Sequence, residues 1–211
     1  MTNGNSLVIA GSKKKAKVHI HVNNPSEIFK ICSNFGTVKG EKADDMWQQQ
    51  AAQGQKSKRV AIVTDSGADI PDDIDLDIYV VPVRYNFGNI GYVDKVSQTP
   101  AEFFKELETN PNHPQTSQPT PGDFRRQYQF LKSHYDSIIS IHIAHELSGT
   151  YQSALNAAKR VDGQNIEVID GYSASAGLGL IVMKAASLAK AGKSKEEIIS
   201  LLPEIISTSK V

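Results

Sequence analysis

From Lys58 onward, apolar runs of strand length alternate with helix-length segments that carry visible caps, and few folds satisfy that alternation. Arg59 to Thr64, RVAIVT, is a nearly continuous apolar run of the kind buried on both faces of a parallel sheet. Asp136 to Ala144 (DSIISIHIA) and Asn165 to Asp170 (NIEVID) repeat it, and Ile78 to Val83 (IYVVPV) does so with Pro82 marking an edge or an end. Thr99-Pro100-Ala101-Glu102 and Thr120-Pro121-Gly122-Asp123 open helices with a cap, a proline and an acid in register. Ser148 to Val161, Ser173 to Ala191 and a segment capped by Ser194 with Glu197, running to about Ser207, supply three more. The pattern predicts an α/β fold over residues 58–211: an open, mostly parallel sheet with helices on both faces, joined by right-handed crossovers.

The first 50 residues read differently. Ala16 to Val22, AKVHIHV, alternates with period two, and Asn24-Pro25-Ser26-Glu27 starts a short helix that Gly36 closes. This predicts a small α+β segment over residues 1–50. The Gln-rich stretch from Met46 to Lys58 lacks apolar periodicity, and residues 51–57 within it read as a linker.

With 23 basic and 23 acidic residues the chain has no net field to gather nucleic acid or an anionic membrane. Cys32 is the only cysteine, which excludes an intrachain disulfide and suits a reducing, cytoplasmic setting. Leu7 to Ala10 is too short for a signal or spanning segment.

In open α/β sheets, ligands sit beyond the carboxyl ends of the strands, where the polar loops fall. His142-Ile143-Ala144-His145-Glu146-Leu147-Ser148-Gly149-Thr150 runs from a strand through a tight turn into a helix. The Ser148 and Thr150 hydroxyls, with the Gly149 and Thr150 amides, can hold an anion at the helix N-terminus, or Ser148 can simply cap the helix. Thr116-Ser117-Gln118-Pro119 offers hydroxyls and an amide on a proline-stiffened loop, though such residues also serve any loop-to-helix junction. Asp65 and Ser66 end the first strand of the domain, where an acid can bind a metal, act as a nucleophile, or accept hydrogen bonds from loop amides; Asp170 offers the same choice. Gly177-Leu178-Gly179 suits close helix packing better than phosphate binding. A serine hydrolase built on Ser148 with His142 or His145 lacks the G-x-S-x-G elbow, and no phosphate-loop spacing occurs. His19 and His21 project from one face of a strand and can supply two ligands of a metal site.

Together, Thr64-Asp65-Ser66-Gly67-Ala68-Asp69, Thr116-Ser117-Gln118-Pro119, Leu147-Ser148-Gly149-Thr150-Tyr151-Gln152-Ser153-Ala154, and Val168-Ile169-Asp170 through Gly177-Leu178-Gly179 resemble the DegV family. The resemblance implies a lipid-binding carrier, itself not an enzyme, that holds a long-chain fatty acid by its carboxylate and presents it to a DAK2-type fatty acid kinase for phosphorylation by ATP. It implies head-group contacts from Thr116 or Ser117 and the Ser148-Gly149 loop, with Thr150, Asp65 and Ser66 completing the candidate set. Where the family usually reads Ser-Ser, this chain has Ala144-His145. Residues Val18 to about Gln49 resemble the domain after the kinase domain in that partner, which implies zinc at His19 and His21, without the third ligand expected upstream. A further C-terminal domain closing over the acyl chain is expected beyond Val211. The competing reading is a phosphatase or kinase-type fragment acting on a small phosphorylated or hydroxy compound, motivated by Asp65, Asp170 and the kinase-like N-terminal segment.

Overall fold

The computed structural model describes residues 4–12, 15–22, 25–38, 58–71, 73–161 and 165–209. In chain order its elements are β1 (Gly4–Ser12), β2 (Lys15–Val22), α1 (Pro25–Ser33), β3 (Lys58–Asp65) and β4 (Ile78–Val81). There follow β5 (Arg84–Phe87), β6 (Ile90–Val93), α2 (Pro100–Thr109), β7 (Gln115–Ser117), α3 (Pro121–Lys132) and β8 (Tyr135–His142). The last are α4 (Thr150–Ala158), β9 (Ile166–Asp170), α5 (Ser175–Lys190) and α6 (Lys195–Thr208). They gather into two compact units, Met1–Ala43 with Tyr85–Gln115, and Asp44–Arg84 with Thr116–Val211. The linker expected at residues 51–57 lies outside the described residues.

In the second unit the four apolar runs pair as a sheet in the order β4-β3-β8-β9. Every pairing is parallel, with Ile62 beside Ile78, Val60 beside Ser137 and Ile138 beside Ile166. Alternation sends Ala61, Val63 and Ile138 to one face, where Phe124, Tyr128 and Leu131 of α3 and Ala154 and Ala157 of α4 cover them. Val60, Ile62, Ile139 and Ile141 face the other way, against Leu178, Ile181 and Val182 of α5 and Ile198 and Leu202 of α6. Helices therefore sit on both faces, and β4 is an edge strand that stops before Pro82. Gly179 lets α5 close on the loop after β3: an added Cβ there would lie 2.1 Å from the Asp69 carbonyl oxygen. Packing is thus the role of the glycine pair.

Thr120 and Ser194 each accept from the amide three residues on, and Asp123 and Glu197 reach back to complete the capping boxes of α3 and α6. Asp123 also takes both Arg84 Nη1, at 2.6 Å, and Arg126 Nη2. In the first unit, β1 and β2 form an antiparallel hairpin. A cluster of Tyr85, Phe87, Tyr92 and Phe103 fills it further along the chain, with the Tyr85 and Tyr92 rings stacked 5.1 Å apart.

A chain of buried polar groups crosses the sheet at the carboxyl ends of β3 and β8. Asp65, Ser140, His142 and Tyr128 are all fully buried. Asp65 Oδ2 accepts from His142 Nδ1 at 2.9 Å and from the Ile143 amide at 3.1 Å, while Oδ1 accepts from the Gly67 amide at 2.9 Å. His142 Nε2 lies 2.7 Å from Ser140 Oγ, which receives the Tyr128 hydroxyl at 2.8 Å. A neutral imidazole satisfies every member: Nδ1–H donates to Asp65, and Nε2 accepts from Ser140. Burial pushes the Tyr128 phenol well above its usual range, so it stays a donor.

Replacing Asp65 by Ala removes the acceptor from the buried His142 ring and from the half-buried Gly67 and Ile143 amides, which is expected to lower stability by about 3 kcal/mol or more. Urea denaturation checks this, and a loss under about 1 kcal/mol would contradict the account. Asp123 generates a pH dependence. Burial pushes its carboxyl up, but hydrogen bonds from Arg84, Thr120 and Arg126 outweigh that and hold it well below the usual carboxylate range. Its stabilisation is therefore complete above the unfolded value near pH 4 and is lost as pH falls towards the lower folded value. The stability gap between the wild-type chain and Asp123→Asn should narrow as pH drops from about 5 towards 2, measured by urea midpoints.

Candidate functional site

Three loops leave the carboxyl ends of β3, β8 and β9 and are stitched together by their backbones. Ala144 N donates to Ser173 O at 3.0 Å, Gly171 N to His142 O at 2.8 Å, and Ser175 N to Gly67 O at 2.9 Å. Tyr172 and Ser175 sit at φ +46° and +54°, the left-handed region that side chains with a Cβ avoid at a cost of about 1 kcal/mol or more. The stitching holds them there.

Within this frame the turn after β8 is short: the Leu147 and Ser148 amides both donate to Ala144 O. Ser148 Oγ then lies 2.9 Å from Thr150 Oγ1 and accepts from the Thr150 amide. The residue that caps α4 is Gly149, and it makes no side-chain cap bond. Ser148 Oγ therefore takes the first amide of the helix, as a cap does, and holds the Thr150 hydroxyl as well. Thr150 is buried, Ser148 and Gly149 are half-buried, and the positive end of α4 opens beside them.

The Thr116 loop comes to the same place. Ser153 Oγ on α4 donates to Pro119 O at 2.7 Å, and the Gln118 side-chain amide lies over Gly149, where an added Cβ would meet Gln118 Oε1 at 2.1 Å. Thr116 and Ser117 are exposed, and neither hydroxyl has a hydrogen-bond partner among the described residues. The two loops singled out from the sequence therefore adjoin, with Gln118 between them.

Asp65 and Ser66 take a different place. Both are buried; Asp65 is committed to His142, Ile143 and Gly67, and Ser66 Oγ receives the Val83 amide at 3.0 Å. They frame the loops from beneath. His142 points to Ser140 and not to Ser148, and His145 Nδ1 donates to Asp170 Oδ2, so neither histidine serves Ser148 as a base. Asp170 also accepts from the Tyr172 amide at 2.9 Å. The side chains of His19 and His21 lie outside the described residues, and no group of three metal-ligating side chains occurs among those described.

An open apolar groove of about 460 Å³ starts at this end of the sheet. Tyr151, Asp170 and Tyr172 form its polar-rimmed side, and Val168, Ile199, Leu202, Pro203 and Ile206 its apolar wall. Sequence reasoning misses this wall, because the run of isoleucines and leucines on the last helix signals core and wall alike. The pairing of His145 with Asp170 is accessible in principle: parallel strands place His142 beside Asp170, so loops after the two strands must meet. Among the described residues no helix is long and apolar enough to cross a membrane.

Comparison with known proteins bears on this geometry. Residues 59–211 match the family described as "uncharacterised protein, DegV family", and residues 1–53 match the FakA-like middle domain of fatty acid kinase. A DegV domain-containing protein of Caldanaerobacter subterraneus is 41% identical over 151 residues, which are 71% of this chain and 54% of that protein. The crystal structure of DegV from Bacillus subtilis, described as a fatty acid binding protein, is 34% identical with a TM-score of 0.67, covering 72% of this chain and 55% of that one. A Thermus thermophilus DegV family protein, described by its fatty acid binding, is 37% identical with a TM-score of 0.65, covering 71% and 54%. The chain spans about half the length of the curated relatives it matches. With residues 59–211, well over half of the chain, matched to the family and a relative 41% identical over 151 residues, the chain belongs to the DegV family.

Proposed function

We propose that this chain binds a long-chain fatty acid by its carboxylate and presents it to a fatty acid kinase for phosphorylation by ATP. The observation that carries the reading is the meeting of two neutral donor loops, Thr116-Ser117-Gln118 and Ser148-Gly149-Thr150, at one end of a sheet whose neighbouring groove is apolar. A carboxylate takes hydrogen bonds from hydroxyls and amides, each charge-assisted bond contributing about 1.5 to 3 kcal/mol. An acyl chain adds about 0.8 kcal/mol for each methylene buried, and a groove of this size lies within the usual range of ligand sites. Relatives from Bacillus subtilis and Thermus thermophilus described as binding fatty acid support the ligand class. The match of residues 1–53 to a middle domain of fatty acid kinase supports the kinase as partner.

The reading as a phosphatase or kinase-type fragment gains nothing from Asp65, since both its oxygens are engaged and the side chain is sealed from solvent. Native mass spectrometry of the purified chain incubated with oleate should show one bound fatty acid. Thr116→Ala with Ser148→Ala should weaken uptake by about tenfold or more, equivalent to at least one charge-assisted hydrogen bond. A chain that takes up no oleate or palmitate refutes the reading.

A further inference from the structure

We propose that His145, held by Asp170, makes carboxylate binding at this site proton-coupled: the ligand is taken up together with one proton on His145 Nε2. The inference rests on the fatty-acid reading above and names a contact that reading does not use.

The His145 side chain is 51% exposed, whereas its partner Asp170 is 8% exposed. Nδ1 donates to Asp170 Oδ2, whose residue is fixed in turn by the Tyr172 amide on Oδ1. Because the two ring nitrogens lie on opposite sides of Cε1, fixing Nδ1 on Asp170 turns Nε2 away from that carboxylate. The ring is flanked by Tyr172, edge-on at 6.1 Å, and by Tyr151 of α4 at 6.4 Å. Tyr151, Tyr172 and Asp170 all line the apolar groove, so the imidazole packs against residues of its rim, three residues before Ser148 in the same turn.

The titratable groups around the ring are Asp170 at the end of β9, Tyr172 after it, Tyr151 on α4, and the exposed Glu146 in its own turn. None is cationic, so an arriving carboxylate meets a carboxylate already in place. With Nδ1–H committed to Asp170, a neutral ring offers only a lone pair at Nε2, which repels a second anion. One added proton reverses this: Nε2–H becomes a donor, and the imidazolium sits between two carboxylates, one from the protein and one from the ligand. The balance is one proton gained from solvent for each carboxylate bound, with no bond broken. By linkage, affinity falls as pH rises.

Calorimetric titration of oleate into the full chain, at one near-neutral pH in buffers of low and high ionisation enthalpy, reads the proton directly. The wild-type chain should show net proton uptake. His145→Gln, which keeps polarity and sits on an exposed turn, should show none and bind about 10- to 100-fold more weakly. Binding by the wild-type chain without proton uptake, or uptake and affinity unchanged in His145→Gln, overturns this inference and leaves the fatty-acid reading standing. Absence of oleate binding by the wild-type chain overturns both.

Discussion

A carboxylate sealed inside a sheet must be given donors, and Asp65 is where this protein meets that demand. Its two oxygens collect the His142 ring, the Ile143 amide and the Gly67 amide, so the ends of β3 and β8 are fixed to each other although 77 positions separate Asp65 from His142. The direction in which the chain leaves β8 follows from that bond, because Ile143 is the first residue after the strand. Ala144, the turn to Ser148, and the start of α4 come next in order. Had Asp65 faced water, the same carboxylate would exert far less constraint, since solvent would satisfy it in many geometries. Burial turns it into a joint.

Much of this is legible in sequence, for local reasons. Caps at Thr99, Thr120 and Ser194 announce helices because each satisfies orphan amides within four residues, and the apolar runs of β3, β8 and β9 announce buried strands. The strand order β4-β3-β8-β9 is not legible, because β3 and β8 are not sequential neighbours. β7 reads as loop, and reasonably so: all three of its residues are exposed, leaving no burial pattern to detect. β1 shows the same limit, since Leu7 to Ala10 registers as a short apolar stretch until its antiparallel partner is known.

At the candidate site the residue types are readable while their division of labour is not. Ser148 Oγ takes the Thr150 amide at the start of α4 and also meets the Thr150 hydroxyl, while the Gln118 amide covers Gly149 between them. Asp170 suits bonds to loop amides and does reach Tyr172, but its second oxygen holds an imidazole brought in by an adjacent strand. Positive φ at Tyr172 and Ser175 has no sequence signal, because neither tyrosine nor serine favours that region; neighbouring loops impose it through the bonds from Ala144 and Ser175.

The donors at the Ser148 and Thr116 loops are hydroxyls and amides, and the nearby guanidinium of Arg84 is committed to Asp123 through two hydrogen bonds. In the proposed reading this choice has a chemical logic. A carboxylate clamped bidentately by an arginine would be held strongly, but its lone pairs would be occupied and its negative charge neutralised. Such an oxygen attacks a phosphorus centre poorly. Hydroxyl and amide donors, with an imidazolium whose charge is shared with Asp170, would neutralise the ligand less than a guanidinium fork, while the groove along Leu202 and Ile206 would provide the affinity that the head group forgoes. On that reading, binding energy drawn from the acyl chain, remote from the reacting atoms, would leave the carboxylate a competent nucleophile.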